Sequence, residues 1–144
     1  MNSPRINILI VEDNLNHQKI TEYALRRSKV PLRINVVRDG QEVIDYLFRS
    51  EEYQDAERFP VPDLILLDLN LPKRDGREVL KMIKADSLLM EIPVVIVSTS
   101  DREEDVNFAF QTGAVGYISK SSGFDKYNEQ LAAVHTFARP NPQG

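Results

Sequence analysis

Cysteine is absent from this chain of 144 residues, so no disulfide framework, thiolate zinc site or cysteine nucleophile is available. Stability therefore rests on an ordinary buried core. Long hydrophobic runs are missing too: Ile8 to Val11 and Val94 to Val97 are uninterrupted for only four residues each, whereas a bilayer-spanning helix needs about 20. Met1 to Arg5 lead straight into an apolar run with no small-residue cleavage site, which argues against a signal peptide. The expectation is a soluble cytoplasmic protein with no membrane partner. Nor is there an excess of positive charge. Eighteen Lys and Arg against 22 Asp and Glu leave a formal charge of −4, with no long basic run. Nucleic acid is thus disfavoured as a partner. A length close to the roughly 150 residues of an average domain predicts one domain.

Five short strand-like runs stand out: Ile6 to Val11, Ile34 to Val37, Leu64 to Leu67, Val94 to Val97, and a weaker one over Gly116 to Ile118. Segments with helical spacing lie after each of them. They are carried by Ile20, Tyr23 and Ala24; by Val43, Ile44, Leu47 and Phe48; by Val79, Leu80 and Ile83; by Val106, Ala109 and Phe110; and by Tyr127, Leu131, Val134 and Ala138. Runs that are apolar throughout suit strands covered on both faces, and strand–helix alternation makes a right-handed parallel sheet. The fold class read from this pattern is a doubly wound α/β domain of five strands and five helices. Asp39-Gly40, Pro72, Asp75-Gly76 and Pro93 punctuate it at the element boundaries. The charged, aromatic stretch from Ser50 to Pro62 reads as a surface excursion, and Arg139 to Gly144 as a frayed tail.

In an open parallel sheet, ligands bind beyond the carboxyl ends of the strands. Glu12 and Asp13 follow the first strand, Asp68 the third, Ser98 and Thr99 end the fourth, and Lys120 follows the fifth. All belong at one rim. Three carboxylates there repel one another unless a cation compensates, and hard oxygen donors suit Mg²⁺. A carboxylate beside Mg²⁺ can attack a phosphoryl group to give an aspartyl phosphate, while an ammonium and a hydroxyl receive the phosphoryl oxygens. Each residue also has a plainer reading. Asp13 could cap a helix, Ser98 could bond the backbone at a strand end, and Lys120 could be a solvated surface lysine. Asp68 resists such a reading, because a charge next to the buried run Leu64 to Leu67 needs compensation.

The stretches Ile8 to Asn14, Leu66 to Pro72 with Asp75-Gly76, Pro93 to Ser98, and Gly113 to Lys120 resemble the receiver domains of two-component response regulators. The resemblance runs from about Ile6 to Ala138, and it implies the flavodoxin-like, chemotaxis-receiver-like strand order 2-1-3-4-5. It implies Asp68 as phosphoacceptor, Asp13 as a direct Mg²⁺ ligand, Glu12 as a ligand through water, and Asn70 as a ligand through its backbone carbonyl. Mn²⁺ or Ca²⁺ are the substitutes it admits. Ser98 and Lys120 would bind the phosphoryl oxygens, with Ser98 and Tyr117 as the switch pair; half-buried packing on an edge strand is the plain reading of Tyr117. Asn70 and Ser100 flank the site where hydrolysis would be tuned. The resemblance also implies phosphorelay signalling through a histidine kinase, and a homodimer.

Two departures bear on the site. Ser121 stands where most receivers have proline, which leaves Lys120 either a different loop course or a non-proline cis bond costing about 3 kcal/mol. Ser98 replaces the commoner threonine and keeps the hydroxyl. With Leu66 to Lys73 and the long excursion, the Lys-Ser junction is similar to small response regulators serving phytochrome-type histidine kinases. Only 26 residues follow Ile118, 144 − 118, so a stand-alone receiver without an output domain is expected. Its output would be protein–protein contact on the fourth helix, fifth strand and fifth helix, with Phe108, Phe124 and Phe137 as candidate exposed contacts. A Mg²⁺-dependent phosphohydrolase of the haloacid-dehalogenase type is the main rival. It needs a second aspartate two residues after its nucleophile as general acid, and here that residue is Asn70. A nucleotide-binding module lacks its glycine or lysine motif, and a non-phosphorylated pseudo-receiver scaffold would not need the complete acidic set.

Overall fold

The computed structural model describes residues 5–139. Strands β1 (Ile6–Val11), β2 (Leu32–Val37), β3 (Leu64–Leu67), β4 (Val94–Ser98) and β5 (Gly116–Ser119) form one parallel sheet in the order β2-β1-β3-β4-β5. Helices α1 (Leu15–Arg26), α2 (Gly40–Leu47), α3 (Gly76–Ala85), α4 (Glu103–Thr112) and α5 (Phe124–Ala133) alternate with the strands. Three short 3₁₀ turns, Glu51–Tyr53, Leu89–Glu91 and Val134–Phe137, complete the described elements. The expected order and alternation are both present.

The uninterrupted apolar runs now have a cause. Along β1, β3 and β4 successive side chains enter opposite layers, as the pleat requires. Leu9, Val11, Ile65, Leu67, Val94 and Ile96 pack with Val43, Leu47, Val79, Leu80, Ile83 and Ala109 of α2, α3 and α4. Ile8, Ile10, Leu64, Leu66, Val95 and Val97 pack with Ala24, Leu25, Tyr127 and Leu131 of α1 and α5. With both faces buried, neither can be polar, so period-two alternation disappears from the sequence.

Helix starts follow from local chemistry. Asn14 caps α1 by accepting from the His17 N–H at 3.0 Å, Asp39 caps α2 by accepting from Glu42 at 2.7 Å, and Asp75 caps α3 by accepting from Arg77 at 2.8 Å. Asp13 is not the cap of α1, which leaves its carboxylate available to the rim.

Some expectations need correction. Ser50 to Pro62 runs over the surface as expected, yet it is pinned inward. Tyr53 is buried, its ring tilted against Tyr46 at 5.2 Å and edge-on to Phe59 at 4.8 Å between centroids, and Arg49 donates to the Tyr53 and Phe59 carbonyls. Arg139 is not frayed: its N–H donates to the Asp63 carbonyl at 3.0 Å, and its guanidinium to the Pro62 carbonyl at 3.3 Å. Residues 140–144 of the expected tail lie outside the described residues. On α4 the buried pair is Asp105 and Ala109, one turn apart, and Phe110 is exposed. Phe108 is half-buried against the α3 side of the core with the Lys81 ammonium 5.5 Å from its ring centre, whereas Phe124 and Phe137 are exposed as expected.

Candidate functional site

The parallel ladders continue one residue past the strands and so place the acidic side chains. The Glu12 N–H donates to the Val37 carbonyl at 3.0 Å, the Asp68 N–H to the Val11 carbonyl at 3.2 Å, and the Lys120 N–H to the Ser98 carbonyl at 2.7 Å. The segments after β1, β3 and β5 thereby turn outward at the same carboxyl rim. Gly76 tightens one of them: its N–H donates to the Leu69 carbonyl at 2.9 Å. A Cβ there would lie 2.2 Å from the Asp68 carbonyl oxygen and 2.6 Å from the Leu69 Cα, so only glycine lets α3 start this close to the aspartate.

Carboxylate oxygens of Glu12, Asp13 and Asp68 lie within 4.8 Å of one another, with Glu12 and Asp68 buried and Asp13 exposed. Three carboxylates with one open side form a donor set of hard oxygens that fits a divalent cation retaining several waters. Lys120 enters from the β5 side with its side chain 5 % exposed. Its ammonium donates to Asp68 Oδ2 at 3.0 Å and to Glu12 Oε1, and lies 3.0 Å from His17 Nδ1. The other oxygens are satisfied by backbone: Asp68 Oδ1 accepts from Asn70 N–H at 2.9 Å, and Glu12 Oε2 from Asn14 N–H at 3.2 Å. Gln18 Nε2 holds the Glu12 carbonyl at 2.7 Å.

Charge and burial set the protonation of the group. Burial pushes the Glu12 carboxyl above the ordinary carboxylate range, against the pull of Lys120. Burial also disfavours the Lys120 ammonium, but Asp68 and Glu12 outweigh it and hold its pKa above the ordinary lysine value. His17 moves down, through burial and then the Lys120 charge, so its imidazole is neutral at pH 7.

Ser98 is fully buried at the end of β4 and accepts from the Ser100 N–H at 3.2 Å, so the plain reading of its hydroxyl holds in this state. Neighbouring Thr99 is exposed, and its carbonyl accepts from Ser121 Oγ at 2.7 Å. That bond, with Ser121 N–H on Ser119 Oγ at 3.1 Å, holds the loop after Lys120. There is no cis peptide among the described residues, so the different loop course is the one adopted. Tyr117 is half-buried on the edge strand and donates to the Ser100 carbonyl at 2.6 Å. Ser100 Oγ donates to Asp105 Oδ2 at 2.6 Å, and Asp105 Oδ1 accepts from Arg77 at 2.7 and 3.1 Å.

The rim thus gathers Glu12, Asp13, Asp68 and Lys120, with Asn70 touching through its backbone. Ser98 and Tyr117 stand beside it, joined through Ser100. His17, Gln18, Arg77 and Asp105 were not foreseen. A signal for His17 exists: four residues after Asp13 on a helix start, it falls on the turn above the site.

A doubly wound sheet with an acidic group, a buried lysine and a small hydroxyl at its carboxyl rim is the architecture of a phosphorylation-controlled signalling domain. Residues 8–132 match the response regulator receiver domain, and the chain belongs to that family. It is similar to the response regulator Rcp1 of Synechocystis sp., 36% identical over 136 residues that cover 94% of this chain and 90% of Rcp1. Among solved structures it resembles the phosphorylated cyanobacterial phytochrome response regulator RcpA, with a TM-score of 0.85, 41% identity and 94% of each chain covered. The Mn²⁺-bound form of Rcp1 superposes with a TM-score of 0.83 at 36% identity, covering 93% of this chain and 94% of that one.

Proposed function

We propose that this chain accepts a phosphoryl group on Asp68 from a phosphohistidine of a histidine kinase. The convergence of Glu12, Asp13 and Asp68 with a buried Lys120 carries this reading. An Asp68 carboxylate oxygen attacks phosphorus, the P–N bond to the donor imidazole breaks, and that imidazole takes a proton from solvent. Asp13, Asp68, Glu12 and the Asn70 carbonyl are the groups that would hold Mg²⁺, which would supply positive charge to the transferred phosphoryl oxygens. Lys120 receives one of these oxygens, and Ser98 turns from Ser100 to receive another. The aspartyl phosphate is a signalling state that hydrolyses back, not a step in turnover of an external substrate.

Movement of Ser98 is transmitted through Ser100, whose N–H, carbonyl and hydroxyl reach Ser98, Tyr117 and Asp105. The output face is then α4, β5 and α5. It carries exposed Phe110 and Phe124, and a groove lined by Tyr117, Ile118, Gln130 and Phe137 beside the free edge of β5. This face suits a second copy of the chain, and residues 6–138 act as one receiver unit. That RcpA is a phytochrome response regulator supports a phytochrome-linked kinase as the donor here.

The test is intact mass after incubation with acetyl phosphate and Mg²⁺, beside a chelator control and Asp68→Asn. One added phosphoryl group that needs the metal and is lost in the variant is expected. No adduct on the folded protein would leave a scaffold as the better reading.

A further inference from the structure

Lys120 is the hub of the rim, and an ammonium has three N–H bonds to give. Three acceptors surround it: Glu12 Oε1, Asp68 Oδ2 at 3.0 Å and His17 Nδ1 at 3.0 Å. Two of the three are claimed by the proposed chemistry, since the metal draws on Glu12 and the incoming phosphoryl group consumes an oxygen of Asp68. His17 is the acceptor that neither step removes. Its backbone is fixed, because its main-chain N–H donates to the Asn14 side chain at 3.0 Å and it sits in the first turn of α1. Its ring lies 3.7 Å from Glu12 Oε1, with the side chain about one-third exposed. From there the imidazole reaches Lys120.

We infer that His17 is a positioning residue for phosphoryl transfer: through Nδ1 it anchors the Lys120 ammonium on the α1 side of the site while carboxylate partners exchange. This rests on the reading of Asp68 as phosphoacceptor. A neutral acceptor serves the purpose better than a third carboxylate would. It fixes the direction of the ammonium without competing for the cation or repelling the phosphoryl oxygens. The remaining two N–H bonds then point toward Glu12 and Asp68, where the phosphoryl oxygens arrive.

The test compares His17→Leu, which fills the space without an acceptor, with His17→Asn, whose amide oxygen can stand where Nδ1 stands. Phosphorylation by acetyl phosphate at saturating Mg²⁺ is expected to slow about three- to tenfold in His17→Leu and to recover to within about twofold in His17→Asn. A second readout needs no phosphorylation. Water exchange of the Lys120 ammonium protons, followed by ¹⁵N NMR in the metal-free protein, should quicken about threefold or more in His17→Leu and return in His17→Asn. Equal rates in wild type and His17→Leu, or a loss that His17→Asn does not restore, would overturn the inference. If the wild type takes no phosphoryl group, the proposed function fails. The exchange measurement still decides whether His17 holds the lysine.

Discussion

Asp105 is a charged residue on the buried side of α4, a position that costs stability unless every oxygen is engaged. Both oxygens are: the Ser100 hydroxyl and the Arg77 guanidinium lie within 2.6–3.1 Å. The Ser100 hydrogen bond and then Arg77 hold its carboxyl below the ordinary value of 3.8. A depressed carboxylate pKa contributes stability that is complete above the unfolded value and lost as pH falls through the folded one. Asp105→Asn should therefore cost about 1–2 kcal/mol at pH 7, with the Arg77 share reduced by its partial exposure. The gap from wild type should close as pH drops below about 4. Urea unfolding across that range checks it, and a gap independent of pH would mean that shape, not charge, holds the network. The same pair explains why Val106, Ala109 and Phe110 did not form the buried stripe. Spacing alone ranks Asp105 as solvent-facing, because Arg77 is 28 residues away in sequence.

Among the elements, the start of α3 is the most constrained. Asp75-Gly76 reads as a turn in sequence, but only packing reveals that Gly76 lies against the Asp68 and Leu69 backbone. Gly76→Ala should cost about 1–3 kcal/mol by overpacking. It should also slow phosphorylation, because relief of the clash must move the segment carrying Asp68. A lower melting temperature with unchanged phosphorylation would show that α3 yields instead. The stretch from Ser50 to Pro62 teaches a related lesson. Its many charges signal a surface path, which is right for most of it, while the buried Tyr53 is hidden because its partner Tyr46 belongs to α2. Burial pushes both phenols up to about 12. A raised folded pKa contributes stability that is complete below the ordinary value of 10 and lost as pH rises through about 12. Alkaline titration should show two tyrosines ionising last, together with loss of structure. Tyr46→Phe should shift that loss to higher pH, although it gives up the 2.8 Å bond to the Pro60 carbonyl.

For the molecule as a whole, an apolar layer on each face of the sheet leaves β1, β3, β4 and β5 without a charged side chain, so their charges fall beyond the strand ends. This is why strand ends in the sequence were enough to place Glu12, Asp13, Asp68, Ser98 and Lys120 at or beside the carboxyl rim. His17 escaped the same logic because it lies one helical turn beyond a strand end. The consequence is that the stability of the entire fold senses the rim. Glu12, Asp13 and Asp68 repel one another, and among the described residues the cation paired with them is Lys120, on Glu12 and Asp68. A divalent ion that binds the folded chain alone should raise stability by about 2.7 kcal/mol at a hundred times its Kd, or about 5–10 °C in melting temperature. Lys120→Met separates the two cations. Without the ammonium the metal-free protein should melt lower, since two buried carboxylates lose their partner. Its Mg²⁺-induced rise should be larger than that of wild type, because no fixed charge opposes the ion. Thermal melts across a Mg²⁺ series measure both quantities. Equal increments in the two proteins would mean that Lys120 and the metal act on separate parts of the rim, whereas a larger increment in Lys120→Met would show that they draw on the same carboxylates.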